Sequence, residues 1–168
     1  TGGGKSLILH TVAVCVGGIL LVLVLLLSLT ADQLSRIKSA KQNHGSVRAV
    51  HLDEVPDALV RSSLIPKMEP TKTDGTETLL LYCSPQYLAK RGWFCAAILQ
   101  CHARGLLRLL AVDEAHIHAM HGRSFRQAIR VLADTLFVFL FGVNAKASPL
   151  FLALTAMMPK NLLCLLYT

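Results

Sequence analysis

The sequence has few cysteines, and they are spaced neither as metal ligands nor as a disulfide framework. Five occur in 168 residues, and none forms a Cys-x-x-Cys pair: Cys15, Cys83, Cys95, Cys101 and Cys164. This spacing argues against the common zinc modules and against a small disulfide-stabilised domain. We therefore predict reduced, mostly buried thiols, as is typical of an intracellular protein.

Acidic residues are also scarce. Ten Asp and Glu residues stand against 17 Lys and Arg residues, which gives a formal net charge of +7. Lysine and arginine neutralise phosphates and release counterions, so this imbalance favours a polyanion partner such as DNA. Because basic charge also serves solubility, it indicates a class of partner and does not identify specific contact residues.

The chain begins with a glycine-rich stretch typical of the end of a phosphate-binding loop. The stretch consists of Thr1, Gly2, Gly3, Gly4, Lys5 and Ser6. Glycines let backbone N–H groups close around nucleotide phosphates, Lys5 can reach the β and γ phosphates, and the Ser6 hydroxyl can bind Mg²⁺. A helix that begins at Lys5 adds the positive end of its dipole. The first glycine of a complete loop would precede Thr1, so we expect a domain that is incomplete at its N-terminus.

An acidic motif follows a strongly apolar run. Residues 109–112 predict a buried strand that delivers Asp113 and Glu114 at its carboxyl end, where ligands bind in open α/β sheets. Asp113 suits the Mg²⁺ shell, and Glu114 suits a base that orients the attacking water. With His116 the motif reads Asp-Glu-Ala-His. The phosphate loop followed by this motif predicts a nucleotide-driven motor that uses ATP and Mg²⁺.

The uncharged run from Thr11 to Leu29 is long and apolar enough to suggest a transmembrane helix. Three features favour another interpretation. Gly17 and Gly18 interrupt the run, Val22 and Val24 favour a strand, and a parallel strand buried on both faces is apolar throughout. We predict a helix and then an interior strand, with no membrane span; a membrane-anchored protein is the alternative.

Hydrophobic periodicity along the chain predicts alternating strands and helices. The predicted strands are 19–26, 47–52, 78–83, 107–112 and 150–154, and the predicted helices are 5–15, 30–40, 55–62, 93–104 and 125–137. Strands separated by helices predict an α/β P-loop NTPase domain, with a mostly parallel sheet and helices on both faces. The motifs then lie at the carboxyl ends of the strands.

Six segments resemble, in order, the motifs of RecQ-like DEAH-box DNA helicases of superfamily 2. These are TGGGKSL at the start, LLSLTADQ at 26–33, YCSPQ at 82–86, DEAH at 113–116, HGRSFR at 121–126 and ALTA at 153–156. The resemblance covers almost the whole chain. It implies that residues 1–168 are the first RecA-like, ATP-binding domain of an ATP-dependent 3′-to-5′ DNA helicase.

The resemblance also implies functional residues and partners. Ser84 and Pro85 would contact the DNA backbone, Phe125 and Arg126 would belong to a loop that senses single-stranded DNA, and Thr155 would couple hydrolysis to strand separation. The partners would be ATP, single-stranded or tailed duplex DNA, and a second RecA-like domain that is absent here and supplies arginine fingers. DNA repair and recombination imply an intracellular location, nuclear in a eukaryote.

The chain departs from the family pattern at several motif positions. Leu25 replaces a proline, Gln86 a glutamate, Met157 a threonine, and His121 and Arg123 a tryptophan and a histidine. The loop that follows DEAH therefore lacks the aromatic residue that senses DNA in the family. These departures keep a second hypothesis open, namely a truncated or decayed, non-catalytic domain that binds nucleotide or nucleic acid weakly.

Lys5→Ala should abolish Mg-ATP binding, because the ammonium group would contact the β and γ phosphates directly. Isothermal titration calorimetry measures the affinity, which we expect to be weak in wild type because the first glycine of the loop is missing. Lys41→Ala makes the same charge change outside the motif and should bind as wild type does. Equal affinity of wild type and Lys5→Ala would contradict the assignment of a phosphate loop.

Overall fold

Five parallel strands form one sheet in the computed structural model, which describes residues 5–24, 46–68, 77–113, 123–142 and 148–155. The strands are β1 (Ile19–Leu23), β2 (Ser46–His51), β3 (Glu77–Cys83), β4 (Leu107–Val112) and β5 (Leu150–Ala153). Their order in the sheet is β2-β3-β1-β4-β5. The predicted α/β architecture with a parallel sheet is confirmed, and β4 has the predicted bounds.

Helices cover both faces of this sheet. They are α1 (Lys5–Val16), α2 (Asp57–Leu59), α3 (Pro85–Lys90), α4 (Gly92–Ala103), α5 (Arg123–Leu132) and α6 (Val138–Phe141). A π-helical turn (Val60–Leu64) and a 3₁₀ turn (Ile65–Met68) extend α2, and another π-helical turn (Ala133–Phe137) joins α5 to α6. The predicted helix 30–40 lies outside the described residues.

Two helix predictions were incomplete. The predicted helix 55–62 is a three-residue α-helix that continues as a π-helical turn. Helix α3 was not predicted, since the predicted elements leave residues 84–92 between the strand 78–83 and the helix 93–104. Ser84 is in fact the N-cap and Pro85 the first residue of the helix, two positions where these residue types are favoured.

Strand β1 explains the long apolar run. Ile19, Leu21 and Leu23 pack with one set of buried side chains, while Leu20 and Val22 pack with another on the opposite face. All five are at most 5% exposed, because β1 lies between β3 and β4 and is covered on both sides. A strand in this position has no polar face, as the sequence predicted.

The two glycines inside the apolar run separate a helix from a strand. Helix α1 ends at Val16, Gly17 and Gly18 have φ angles of 65° and 74°, and β1 begins at Ile19. The predicted division of the run is therefore confirmed as far as residue 24. Across the described ranges, no helix is long and apolar enough to cross a membrane.

Three of the cysteines are buried, as predicted. Burial raises the pKa of the Cys101 thiol to about 11, and it also raises the pKa values of Cys83 and Cys95. These thiols therefore remain protonated near neutral pH, which makes them poor nucleophiles. The fourth described cysteine, Cys15, is exposed on α1. Cys164 lies outside the described residues.

Gly18→Ala should destabilise the protein more than Gly17→Ala. Both residues have positive φ, where an alanine costs about 1–2 kcal/mol. A Cβ on Gly18 would also lie 2.9 Å from the carbonyl oxygen of Leu106, whereas a Cβ on Gly17 would meet nothing within 4 Å. We expect the clash to add about 1–3 kcal/mol in urea unfolding. If both variants lost the same free energy of unfolding, the backbone around Gly18 would have moved to relieve the clash.

Candidate functional site

The carboxyl ends of the central strands meet along one edge of the sheet. Backbone hydrogen bonds continue the ladder past the strand ends, from Val24 N–H to Cys83 C=O (2.9 Å), Asp113 N–H to Leu23 C=O (2.9 Å) and Leu154 N–H to Val112 C=O (2.8 Å). Ser84, Asp113 and Thr155 thus follow β3, β4 and β5 at the same edge. Adjacent strands lie about 4.8 Å apart, so Asp113 is about one strand spacing from the β5 end and two from the β3 end.

Helix α1 runs back along the sheet, so that its first turn is directed toward this edge. Leu9 and Ala13 are fully buried against the sheet. The Thr78 hydroxyl, near the start of β3, donates a hydrogen bond to the carbonyl of Ala13 at 3.4 Å. The end of α1 therefore lies near the amino ends of the strands. Its first residue, Lys5, lies toward the carboxyl ends, as the phosphate-loop prediction requires.

Asp113 lies on the same face of the sheet as α1. Leu109 and Ala111 pack in the core cluster under α1, and the period of two along a strand predicts the same face for Asp113. Burial, together with the negative charge of Asp113, raises the pKa of Tyr82, whose ring belongs to that cluster. Asp113 is itself only 6% exposed. A buried carboxylate thus lies at the carboxyl end of β4, on the face of the sheet that α1 covers.

The residues at this edge fit a nucleotide-bound Mg²⁺ better than a protein-bound metal ion. Asp113 offers a hard carboxylate oxygen, and Mg²⁺ in such sites uses one or two carboxylates, substrate phosphates and waters. The side chain of Ser6 is not among those described. Within the described segments, no group of three or more His, Cys, Asp or Glu side chains could hold a metal ion.

Ser84 makes two hydrogen bonds to a carboxylate that sequence analysis did not single out. Its hydroxyl donates to Asp53 Oδ1 at 2.5 Å, and its backbone N–H donates to Asp53 Oδ2 at 2.7 Å. The Ser84 Oγ also accepts from the N–H of Tyr87 at 3.0 Å, which caps α3. Asp113 directly follows β4, and Asp53 lies two residues past the end of β2, directly after the predicted strand 47–52. An acidic residue after a strand was therefore the signal available in the sequence.

Two further contacts tie the segment after β2 to the segment after β3. Arg91 Nε donates to Asp57 Oδ1 at 2.7 Å, and its guanidinium lies 3.9 Å from the centre of the Tyr87 ring. The Arg61 guanidinium lies 4.2 Å from the centre of the half-buried Trp93 ring. These contacts hold α2 and its π-helical turn along α3 and α4.

The remaining predicted residues are placed only in part. The backbones of Phe125 and Arg126 lie in α5, which packs against α3, so the segments with the two predicted DNA motifs are in contact. Thr155 is half-buried beside the end of β5. Lys5 and Ser6 are placed by their backbone in α1. Glu114, His116 and the glycines at 2–4 lie outside the described residues, as does Thr1.

The fold is an α/β architecture consistent with a RecA-like domain, and the candidate site residues follow its parallel strands. No family model matches the chain. ATP-dependent DNA helicase Q1 of Mus musculus is 31% identical over 136 residues, which cover 79% of this chain and 19% of the helicase. ATP-dependent DNA helicase Q-like 2 of Arabidopsis thaliana is 30% identical over 125 residues, 74% of this chain and 17% of that protein.

A Caenorhabditis briggsae protein, whose name provisionally assigns it to helicase Q1, is 32% identical over 165 residues. That similarity covers 97% of this chain and 24% of the relative. Over most of its length the chain is homologous to RecQ-family ATP-dependent DNA helicases. It spans about a quarter or less of the length of the curated relatives it matches.

Ser84→Ala should lower the free energy of unfolding by about 1 kcal/mol, because it removes the N-cap of α3 and a donor to Asp53. Ser63→Ala is the matched control, since the exposed Ser63 hydroxyl bonds only within its own helical segment. Chemical denaturation followed by circular dichroism measures both. A loss no larger than that of Ser63→Ala would show that the Ser84 cap contributes little.

Proposed function

We propose that this chain is the first RecA-like, ATP-binding domain of an ATP-dependent 3′-to-5′ DNA helicase. One observation carries the proposal: Asp113 follows β4 on the face covered by α1, whose first turn is directed toward the same edge. This is the arrangement that a phosphate loop and a metal-binding carboxylate need in order to act on one nucleotide. The helicase names of the relatives agree with it.

On the nucleotide side, we assign binding of the phosphates to residues 1–6, with Lys5 at the β and γ phosphates. Ser6 and Asp113 would hold Mg²⁺, which neutralises negative charge on the phosphates when bound. Glu114 would accept a proton from the attacking water while it orients that water. His116, three residues beyond Asp113, would connect the nucleotide site to the DNA-contacting segments. A second RecA-like domain would supply arginine fingers.

On the DNA side, we assign Ser84 and Pro85 to the phosphate backbone, Phe125 and Arg126 to the sensing of single-stranded DNA, and Thr155 to coupling. Packing of α3 against α5 supports this assignment, because a shift at one DNA-contacting segment would displace the other. The net charge of +7 favours a DNA partner. In a eukaryotic cell such a protein would act in the nucleus, in DNA repair or recombination.

A second candidate function is a non-catalytic helicase-like domain that binds nucleotide or nucleic acid weakly. Asp53 favours it, because this carboxylate accepts hydrogen bonds from both donors of Ser84. His121 and Arg123 also replace two residues of the loop that senses DNA in the family. The two candidates differ in one measurable property, namely ATP turnover stimulated by single-stranded DNA.

Glu114→Gln should abolish DNA-stimulated phosphate release and leave Mg-ATP affinity unchanged, because a base acts on the attacking water while other groups hold the nucleotide. Phosphate release should be followed by a coupled assay at the native length of the protein, and affinity by calorimetry. Asp134→Asn, which neutralises an exposed acid on the π-helical turn after α5, is the charge control and should behave as wild type. Unchanged turnover in Glu114→Gln would contradict its role as a base, and a wild type without turnover would favour the non-catalytic candidate.

A further inference from the structure

Ser84 has two hydrogen-bond donors, and a single oxyanion receives both. The backbone N–H and the hydroxyl converge on the two carboxylate oxygens of Asp53, at 2.7 Å and 2.5 Å. These lengths are typical of charge-assisted hydrogen bonds. An N–H and an O–H that point at two oxygens of one anion would hold two oxygens of a phosphate group equally well.

No donor of Ser84 remains for a second anion. A serine offers one backbone N–H and one hydroxyl hydrogen, and Asp53 accepts both. The Ser84 Oγ is also an acceptor for Tyr87 N–H, so a change of the Ser84 χ1 rotamer would break that bond. A phosphate that approaches Ser84 would additionally meet the charge of Asp53 and that of the neighbouring exposed Glu54. Ser84 can therefore bind a phosphate only after the carboxylate leaves.

Asp53 can leave without disturbing the core. It is exposed on the 3₁₀ turn Leu52–Glu54, while the preceding residue of that turn, Leu52, is fully buried and anchors the backbone. A change of side-chain rotamer would release both oxygens into water, where they would be solvated. A phosphate could then accept hydrogen bonds from the backbone N–H and the hydroxyl of Ser84, which are already in position.

We propose that Asp53 occupies the phosphate position at Ser84, and that single-stranded DNA binds there only by displacing this carboxylate. The proposal rests on the DNA side of the proposed function and adds its regulation. Asp53 is then a built-in competitor that lowers DNA affinity. The turn after β2, which carries Asp53, thereby controls DNA binding at Ser84, which follows β3.

The test compares Asp53→Asn with Glu54→Gln. Both remove one negative charge from the same turn, but only Asp53 bonds to Ser84; Glu54 instead lies 3.3 Å from His51 Nδ1. Fluorescence anisotropy with a labelled oligothymidine would report binding by the 168-residue chain. We expect Asp53→Asn to bind about 5- to 30-fold more tightly than wild type, and Glu54→Gln to gain less than about twofold.

A salt titration adds a second readout. If one more phosphate is bound in Asp53→Asn, the slope of log affinity against log salt should become steeper by about 0.7, the value for one single-strand contact. Glu54→Gln should keep the slope of wild type. In Ser84→Ala/Asp53→Asn most of the gain in affinity should disappear, because the hydroxyl donor is gone and only the backbone N–H remains. Thermal unfolding of each variant would verify that it is folded.

Three results would overturn the inference. They are an affinity of Asp53→Asn no higher than that of Glu54→Gln, a loss of affinity in Asp53→Asn, or a gain that persists in full in Ser84→Ala/Asp53→Asn. If wild type binds DNA and one of these results is found, the inference fails while the proposed function stands. If wild type and every folded variant fail to bind DNA, both fail.

Discussion

The burial of β1 on both faces is the constraint on which the rest of the structure depends. A strand in this position must receive backbone hydrogen bonds from β3 on one side and β4 on the other. Its side chains must also be apolar in both directions, which the run Ile19–Leu23 satisfies. Because all strands are parallel, their carboxyl ends fall at one edge, and residues far apart in sequence become neighbours there.

This edge has two sides with different chemistry. Asp113 lies on the α1 side, where the phosphate loop would hold a nucleotide. Helix α3, which follows Ser84, buries Tyr87 and Leu88 in the core of the opposite face, where α5 also packs. In the proposed function, nucleotide and DNA would thus be bound on opposite faces of the same sheet edge, joined by short strands that transmit small displacements.

Negative charge is scarce in this chain and concentrated near the edge. Five of the ten acidic residues follow β2 or β4 within a few positions: Asp53, Glu54, Asp57, Asp113 and Glu114. On the nucleotide side, a bound Mg²⁺ would reduce the electrostatic repulsion between Asp113 and the negatively charged phosphates. On the Ser84 side, Asp53 accepts both donors of Ser84, so in our proposal it competes directly with a phosphate. A basic net charge alone therefore does not predict where DNA binds.

Much of the candidate site was predictable because its motifs are local. An acidic residue after a buried strand marked Asp113, and the phosphate loop predicted a helix from Lys5, which the structure confirms. The predicted roles of all the site residues, Asp113 and Lys5 included, stay predictions. Asp53 was missed because its importance comes from a partner 31 residues away, and no local pattern encodes that pairing.

The sequence by itself determined the α/β class, the bounds of β4 and the division of the apolar run at Gly17 and Gly18. These features follow from hydrophobic period and from glycine, which act over a few residues. Only the tertiary structure decided the strand order β2-β3-β1-β4-β5, the exposure of Cys15 and the hydrogen bonds from Ser84 to Asp53. Such features arise when distant segments pack together, and the free energy of that packing is not a property of any one segment.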